Sequence, residues 1–268
     1  MTSVPGLPDR YEIRTLTAEH QEWTTALLAH TNMFHSHVWP VVYPDGLIAR
    51  LFELLPKLNY LVEHQIQSGL SIGVFDKEYE YKTAEGKAAG GALLWDKTNL
   101  DVDVQGKTLL DQMDFPLVSV ALSYDNVNHL DVAKVGELVG IIPLFGTVYH
   151  VLGELDPRDP ASWEGKKEGE VLSRNGTSTR HDYEGKGIMG AAARWLMADA
   201  AKKGFRGIQI ECISDAVDHV WANAPAPFKS TTISEFSTET YKEEVDGKKV
   251  LPFAPSKQRI TKVWVDLK

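Results

Sequence analysis

Apolar residues along the chain recur with two spacings, which divide it into predicted strands and helices. Alternating positions and short apolar runs predict strands at 11–16, 70–75, 88–95, 171–179, 206–212, 228–236 and 259–267. Apolar residues on one helical face predict helices at 17–29, 45–56, 57–67, 188–201 and 215–222. Pro56 is expected to separate the second of these helices from the third. Strands that alternate with helices predict an α/β protein.

Two segments have a less regular pattern. Residues 31–44 are rich in histidine, proline and aromatic side chains, which is typical of a loop. The block 97–169 begins and ends polar and encloses an apolar middle, in which we expect helices near 127–139 and 142–153. The pair Gly90-Gly91 inside the strand at 88–95 indicates a bulge or a close backbone approach.

Composition and charge narrow the function classes. The 268 residues are 43% hydrophobic and 24% charged, which is ordinary for a globular chain and unlike a disordered one. A net charge of −9 argues against a nucleic-acid partner, since phosphate binding needs clustered Lys and Arg. The one cysteine, Cys212, cannot form an internal disulfide, and no segment resembles a secretory signal or a membrane span. We therefore expect a cytoplasmic protein with no membrane partner.

The most informative unit is a strand, a glycine-rich turn, a helix and a second strand at 171–212. Gly185, Gly187 and Gly190 surround the helix N-terminus, where glycine lets backbone amides approach an anion closely. The first amides of a helix have no internal partner, and the helix dipole favours negative charge there. Such a helix end can bind a pyrophosphate, and Lys186 can add a positive charge.

Three protein classes use glycines in this way. A P-loop is excluded because Gly-Lys is not followed by Ser or Thr. A dinucleotide site fits the Gly-x-Gly-x-x-Gly spacing, with Glu211 as the acidic residue further on, but the motif comes late and only one strand–helix unit follows it. The third class is suggested by the sequence Tyr183-Glu-Gly-Lys-Gly-Ile-Met-Gly190 followed by Ala-Ala-Ala-Arg-Trp-Leu. This run resembles motif A of the GNAT superfamily of acyl-CoA-dependent N-acetyltransferases.

The resemblance covers roughly 11–96 and 170–267 and is strongest over 178–222. It implies an α/β fold with a mixed, splayed central sheet flanked by helices. The chain would be a single domain, 1–268, with a mainly helical insertion at 97–169 between the third and fourth strands. Acetyl-CoA would be the co-substrate and would lie in an opening between the fourth and fifth strands. The residues implied to contact it are Thr177, Ser178 and Thr179 along the pantetheine, Glu184, Gly185, Lys186, Gly187, Ile188, Met189 and Gly190 at the pyrophosphate, and Asp215 and Trp221 after the fifth strand.

The sequence departs from the family pattern at three positions. Glu184 replaces Gln or Arg, and Met189 replaces Gly or Ala. A carboxylate beside a pyrophosphate is repulsive unless it points away or pairs with Lys186. Trp221 stands where many members use a tyrosine to protonate the leaving thiolate, and an indole N–H can donate a hydrogen bond but not a proton. The thiolate would then take its proton from elsewhere, with Cys212 and Tyr241 as candidates, or activity would be altered.

The general base is expected on or near the fourth strand. Of Glu170, Arg180, His181 and Asp182, we retain Glu170 and His181 as the catalytic candidates, beside a water chain that would leave no trace in the sequence. No metal is expected, because His30, His35 and His37 lack ligand spacing.

The acceptor site has weaker signals. The aromatic residues of the loop are as consistent with a small packing cluster as with an acceptor pocket: Phe34, Trp39 and Tyr43. The acidic residues of the insertion favour a solvated surface over a polycation site: Asp101, Asp103, Asp111 and Asp114.

The sequence thus predicts transfer of an acetyl group from acetyl-CoA to the amine of a small molecule, by direct attack on the thioester, in a monomer or homodimer. A CoA-binding protein without turnover is the first alternative, because of Trp221 and Glu184. A nicotinamide-dinucleotide oxidoreductase is the second, because of the glycine spacing.

Overall fold

The computed structural model describes residues 2–3, 6–98 and 106–268. Its strands are β1 (Thr2–Ser3), β2 (Tyr11–Thr15), β3 (Ile72–Asp76), β4 (Ala92–Leu93), β5 (Met113–Asp114), β6 (Leu117–Asp125), β7 (Val171–Thr179), β8 (Gly207–Cys212), β9 (Lys229–Ser237), β10 (Glu243–Val245), β11 (Lys248–Val250) and β12 (Arg259–Asp266). Its helices are α1 (Gln21–Phe34), α2 (Trp39–Val42), α3 (Leu47–Gln67), α4 (Ala84–Ala89), α5 (Gly106–Asp111), α6 (Val132–Ile141), α7 (Pro143–Glu154), α8 (Pro160–Trp163), α9 (Ile188–Lys202) and α10 (Asp215–Trp221). The predicted α/β class is confirmed.

The chain divides into two compact units. The first consists of Met1–His35, Gly46–Tyr124 and Gly176–Trp195, and the second of Ser36–Asp45, Asp125–Asn175 and Leu196–Lys268. β7 and α9 each contribute residues to both units. The single-domain organisation stays a prediction.

The first unit contains strands in the order β1–β2–β3–β6–β7, with β2, β3 and β6 antiparallel. Helices α1 and α3 pack against each other. The apolar face of α3 is buried along its whole length: Ile48, Leu51, Leu54, Leu55, Leu58, Leu61, Val62 and Ile66. This buried stripe, with the buried strand β3, forms the core of the unit.

The second unit contains strands in the order β7–β8–β12–β9. β7 and β8 are parallel and pair from Val171 opposite Gly207 to Arg174 opposite Ile210, whereas β12 is antiparallel to both β8 and β9. Helix α10 packs on β12, and α7 packs on β9. The sheet is therefore mixed, as predicted, and every element predicted from residue 171 onward is found within a few residues of its expected bounds.

The predicted strand at 88–95 is found only in part, and the third strand of the large sheet lies elsewhere. Ala92–Leu93 form the short strand β4, which pairs with β5 in a separate two-stranded sheet. Thr83 accepts a hydrogen bond from the Gly86 amide and begins α4, and Gly90 ends the helix at a φ of +71°. The strand that follows β3 in the first unit's sheet is β6, which lies inside the block 97–169. The block is thus not an insertion between the third and fourth strands, and the extra chain lies on both sides of β6. The first seven residues of β6 are all buried, so the strand shows no alternation for a sequence pattern to detect.

Pro56 does not end a helix. It lies exposed inside the continuous helix α3. Proline inside a helix costs about 3 kcal/mol, and the apolar stripe that continues on both sides of Pro56 offsets this cost by packing on α1. The predicted loop at 31–44 is also partly helical, since α1 extends to Phe34 and α2 begins at Trp39.

Candidate functional site

The glycine-rich turn, residues 184–190, joins β7 to α9 in the first unit. Gly185 and Gly187 have φ angles of +74° and +75°. Only glycine adopts this left-handed conformation without strain. A Cβ placed on either residue meets no heavy atom within 4 Å, so the backbone conformation, and not a lack of space, requires glycine at both positions.

The first amides of α9 can bind an anion. The helix begins at Ile188, and the Ala191 amide donates to the Gly187 carbonyl at 3.0 Å. The amides of Ile188, Met189 and Gly190 therefore precede the helix's own hydrogen-bond ladder. Because the positive end of the helix dipole lies at the same place, the arrangement favours phosphate oxygens.

The charged side chains of the turn interact with one another. His181 Nδ1 lies 3.0 Å from Glu184 Oε2, so Glu184 is engaged by His181. Lys186 Nζ donates to the Asp182 carbonyl at 3.0 Å and lies 4.2 Å from the centroid of the Tyr183 ring. The cation of Lys186 is therefore held beside the turn.

Buried Arg180 fixes the start of the turn. Its side chain is 1% exposed, and its Nη1 atom donates to the carbonyls of Met113 and Phe115, both at 2.9 Å. Its Nη2 atom is 3.1 Å from Asp182 Oδ2. One guanidinium thus ties the turn to the segment before β6. Arg180 and Asp182 are two of the candidate bases from the sequence, and their contacts hold the turn in place.

Tyr183 anchors the same turn to β3. Its hydroxyl donates to Asp76 Oδ2 at 2.8 Å, and Asp76 Oδ1 accepts a hydrogen bond from Arg10 Nε at 3.0 Å. Burial acts to raise the pKa of Asp76, but the hydrogen bonds from Arg10 and Tyr183 outweigh it and the pKa is lowered. Burial raises the pKa of Tyr183, so its hydroxyl remains a donor. The local sequence could not reveal this anchor, because Asp76 and Tyr183 are 107 residues apart.

The backbone of β7 departs from regular strand geometry at Gly176, just before the residues predicted to contact pantetheine. Gly176 has a φ of +111°, and a Cβ placed on it would lie 3.2 Å from Leu122 Cδ1. Ser119 on β6 holds the following residues. Its hydroxyl donates to the Ser178 carbonyl at 3.1 Å and lies 2.8 Å from Thr179 Oγ1. Residues 177–179 are therefore held in place between Gly176, with its positive φ, and the glycine-rich turn.

A stack of imidazole rings lies beside the turn. The His35 and His181 rings are 3.8 Å apart and nearly parallel, at 6°, and the His30 ring is 5.1 Å from that of His35. Burial lowers the pKa of His30 and of His35 to about 4, so both are neutral near pH 7. Among the residues that the structure describes, no three His, Cys, Asp or Glu side chains form a group suited to a metal ion.

Glu170 lies immediately before β7. Its Oε2 accepts a hydrogen bond from the Lys166 amide at 2.8 Å, and this bond lowers the pKa of Glu170. A carboxylate that closes a turn and has a lowered pKa is a weaker base. The contact gives Glu170 a local structural role, whether or not it also acts in catalysis.

Trp221 and Arg174 form a buried pair in the second unit. Trp221 is 1% exposed, and within the described part of the chain its Nε1 atom has no hydrogen-bond acceptor. The guanidinium carbon of Arg174 lies 5.4 Å from the centroid of the indole ring. Burial lowers the pKa of Arg174 to about 9.

The two alternative proton donors have other surroundings. Cys212 is fully buried, and burial raises the pKa of its thiol, so the thiol keeps its proton. The Tyr241 hydroxyl lies 3.4 Å from Glu243 Oε1, and burial raises its pKa as well.

Asp215 is held by contacts within the second unit. Its amide donates to Gln258 Oε1 at 3.1 Å, and its Oδ1 atom accepts a hydrogen bond from the Arg259 amide at 2.9 Å. These bonds attach the start of α10 to the chain beside β12.

The aromatic residues of the 31–44 segment pack within their units. Trp39 is buried, with its ring 6.2 Å from that of Phe145, and the Tyr43 hydroxyl accepts a hydrogen bond from the Leu144 amide at 3.0 Å. Phe34 lies in the first unit, 5.1 Å from the His30 ring. For Trp39 and Tyr43 these contacts favour the packing-cluster interpretation over an acceptor pocket.

The acidic residues of the block 97–169 do not share one role. Asp114 is fully buried and accepts hydrogen bonds from the amides of Lys82 and Thr83, both at 2.9 Å. It is therefore neither surface-exposed nor available to a polycation, which corrects the solvated-surface interpretation at that position. Asp111 pairs with Lys82 at 3.1 Å. Asp101 and Asp103 lie outside the described residues.

Comparison with known proteins relates the chain to others by structure alone. No protein-family model matches the sequence, and no curated protein does. Across the described residues, no helix is long and apolar enough to cross a membrane.

Several solved structures share the fold. The C-terminal condensation domain of Ebony, in complex with beta-alanyl-dopamine, has a TM-score of 0.58 at 16% identity, covering 95% of this chain and 98% of that one. Arylalkylamine N-acetyltransferase 2 from Aedes aegypti has a TM-score of 0.58 at 12% identity, covering 96% and 99%. A mosquito arylalkylamine N-acetyltransferase like 5b has a TM-score of 0.50 at 13% identity, covering 95% and 98%. The chain therefore has a GNAT-like fold, shared over nearly its whole length with arylalkylamine N-acetyltransferases.

Proposed function

We propose that this chain is an acyl-CoA-dependent N-acetyltransferase that transfers an acetyl group from acetyl-CoA to the amine of a small molecule. The observation that carries the proposal is the glycine turn: two left-handed glycines lead into three helix amides that precede the helix's own hydrogen-bond ladder, within a fold shared with N-acetyltransferases. The chain would work in the cytoplasm as a monomer or homodimer.

The residues present fit the pyrophosphate of CoA. The amides of Ile188, Met189 and Gly190 would hold its oxygens, and Lys186 would add a nearby positive charge. Residues 177–179, held by Ser119, would line the pantetheine. The backbone amides of this stretch would stabilise the charge that develops on the thioester oxygen.

The attacking amine must lose a proton, and His181 and Glu170 are the side chains proposed to receive it. We rank His181 first, because it is closer in the chain to residues 177–179 and because the hydrogen bond from the Lys166 amide lowers the pKa of Glu170. Replacing His181 with Asn and Glu170 with Gln tests this ranking. The variant that lacks the true general base should lose the rise of kcat/KM with pH. The other variant should keep that rise.

The similar structures suggest which amines to test first as acceptors. Two of the similar structures are named arylalkylamine N-acetyltransferases, and a third contains beta-alanyl-dopamine. We therefore propose arylalkylamines as the first class to test, followed by polyamines and other small primary amines.

A CoA-binding protein without turnover is the second candidate, because Trp221 occupies a position where an acid is expected. A dinucleotide oxidoreductase is less well supported. Doubly wound dinucleotide folds have mostly parallel sheets, whereas the pairs β2–β3, β3–β6, β8–β12 and β12–β9 are all antiparallel.

Two measurements separate these candidates. Thermal shift with acetyl-CoA, CoA, NAD and NADP should show stabilisation by the two CoA ligands, about 2.7 kcal/mol at a hundredfold excess over Kd. Stabilisation by NAD alone would reject the proposal. Thiol release from acetyl-CoA over an amine panel then distinguishes an enzyme from a binding protein.

A further inference from the structure

Two side chains of the first unit hold the imidazole of His181, the proposed general base. The His181 Nδ1 atom lies 3.0 Å from Glu184 Oε2, and the His181 ring stacks on that of His35 at 3.8 Å and 6°. All three residues belong to the first unit. The stack fixes the plane of the His181 ring, and the hydrogen bond fixes which edge of the ring faces Glu184.

The partner of Nδ1 decides which nitrogen of His181 carries the hydrogen. An ionised carboxylate only accepts hydrogen bonds, so the hydrogen between the two side chains belongs to His181 Nδ1. In a neutral imidazole the other nitrogen then has a free lone pair. The His181 side chain is half exposed, and its Nε2 atom has no hydrogen-bond partner among the described residues. Nε2 is therefore the atom that can accept a proton.

The other charged groups of the turn are engaged away from the His181 ring. Asp182 Oδ2 lies 3.1 Å from Arg180 Nη2. Lys186 Nζ donates to the Asp182 carbonyl at 3.0 Å. The carboxylate of Glu184 is thus the charged group of the turn that pairs with the His181 ring.

The groups that face His181 from α1 and its end are neutral near pH 7. Burial lowers the pKa of His30 and of His35 to about 4. A neutral ring stacked on His181 does not repel the positive charge that forms when His181 takes up a proton. The surroundings of His181 therefore suit a base whose charged form is stabilised by one carboxylate.

This contact gives a reason for the departure of Glu184 from the GNAT pattern, which has Gln or Arg at that position. A carboxylate beside a pyrophosphate repels it. An arginine there could not accept the hydrogen of His181 Nδ1, and a glutamine could accept it only without a charge. The carboxylate thus weakens attraction for the pyrophosphate and supplies a charged partner for His181.

We propose that Glu184 is the positioning residue of the base His181, holding the hydrogen on Nδ1 so that Nε2 receives the proton of the attacking amine. This inference rests on the proposed function. The amine nitrogen bonds to the acetyl carbon, the carbon–sulfur bond breaks with its electron pair on sulfur, and the amine's proton passes to Nε2. The imidazolium then releases that proton to water, and the departing thiolate is protonated from water. Glu184 keeps its hydrogen bond throughout and stabilises the imidazolium.

Glu184→Met tests the inference, because it removes the acceptor and keeps a side chain of similar length. Since Glu184 is exposed, the variant should fold. Its kcat in thiol release should fall roughly tenfold or more, the range for loss of a hydrogen bond to a charged group. Its affinity for acetyl-CoA, measured by calorimetry, should stay the same or rise, because a negative charge has left the pyrophosphate site. Glu184→Gln keeps a neutral acceptor and should recover part of the lost kcat.

Glu154→Met is the matched control. Glu154 Oε1 lies 3.3 Å from His150 Nε2, and both side chains are exposed. The variant removes a carboxylate from a histidine in the second unit. It should keep the wild-type kcat and the wild-type affinity for acetyl-CoA.

Nitrogen NMR of the histidine-labelled chain reports the tautomer of His181 without turnover. At about pH 8.5, above the ordinary histidine pKa of about 6.5, the two ring nitrogens of a neutral imidazole give distinct signals. The His181 signals are those missing from His181→Asn. They should show hydrogen on Nδ1 and a bare Nε2 in the wild-type chain and in Glu154→Met. Glu184→Met should lose this preference.

The outcomes distinguish the inference from the function on which it rests. A wild-type chain without amine-dependent thiol release overturns the proposed function and, with it, the role of Glu184. Three results overturn the inference and leave the function standing. They are hydrogen on Nε2 of His181 in the wild-type chain, full kcat in His181→Asn or Glu184→Met, and a parallel loss of kcat and acetyl-CoA affinity in Glu184→Met, which would show that Glu184 only shapes the turn.

Discussion

Gly185 and Gly187 show most clearly how a single residue type serves the proposed chemistry. Their positive φ angles are open only to glycine without strain, and no neighbouring atom would contact a side chain there. Replacing either with Ala should cost about 1–2 kcal/mol of unfolding free energy. It should also weaken acetyl-CoA binding by tenfold or more, because the amides after it shift. Urea unfolding and calorimetry measure the two effects.

Gly69→Ala is the matched control for this prediction. Gly69 has a φ of +70° and also has no atom within 4 Å of an added Cβ, but it lies at the end of α3. It should lose similar stability and keep the affinity for acetyl-CoA. Equal losses of affinity in all three variants would show that the glycine turn has no special role.

His35 gives a pH dependence of stability at the residue scale. Burial lowers its pKa to about 4, whereas the unfolded chain has an ordinary histidine pKa of about 6.5. The unfolded state therefore binds more protons between these values, and stability should fall as the pH falls through that window. His35→Phe keeps a ring beside His181 and removes the titration. Its unfolding free energy should decline less than that of the wild-type chain between about pH 6.5 and 4.

His129→Ala serves as the control, because His129 is exposed. Its stability should follow the wild-type curve over the whole pH range. Parallel curves for His35→Phe and the wild-type chain would show that His35 does not cause the loss of stability at low pH.

Among the elements, the glycine turn depends on anchors from distant strands. The Tyr183 hydroxyl donates to buried Asp76, and hydrogen bonds to charged groups contribute about 1.5–3 kcal/mol. Tyr183→Phe should lower the unfolding free energy by about this amount and weaken CoA binding, since the turn loses its attachment to β3. Denaturant unfolding with a CoA titration checks both effects.

Tyr81→Phe is the comparison variant. Its exposed hydroxyl donates to the Gly90 carbonyl at 3.0 Å, outside the turn. We expect a loss near or below 1 kcal/mol, the ordinary size for a neutral hydrogen bond, and unchanged CoA binding. A larger loss in Tyr81→Phe than in Tyr183→Phe would refute the anchoring role.

The elements also show where sequence patterns succeed. The elements β7, α9, β8, α10, β9 and β12 are predictable because turn glycines, helix ends and alternation all agree, whereas the short strands β10 and β11 are not predicted. β6 is not, because its burial on both faces removes alternation. The helix α3 is not predicted as one piece, because packing on α1 outweighs the local effect of Pro56. The anchors Arg180–Met113 and Tyr183–Asp76 join residues far apart in sequence, so no local pattern could have indicated them.

For the whole molecule, the α/β fold follows from the order of its elements, and similar structures share it at 12–16% identity. Similarity at such low identity supports the fold but does not identify the acceptor. Recognition of the acceptor depends on side chains, and most side chains differ between these proteins. The cytoplasmic location, the oligomeric state and the roles of His181 and Glu170 stay predictions.

Thiol release from acetyl-CoA, with the acetylated product identified by mass spectrometry, tests the central claim most directly. The purified chain is incubated with acetyl-CoA and a panel of arylalkylamines, polyamines and other small primary amines, with Gly187→Ala as the impaired comparison. We predict amine-dependent release of CoA by the wild-type chain, a product heavier by one acetyl group, and a much slower reaction in the variant. No binding of acetyl-CoA, or release that is the same with and without every amine, would contradict the account.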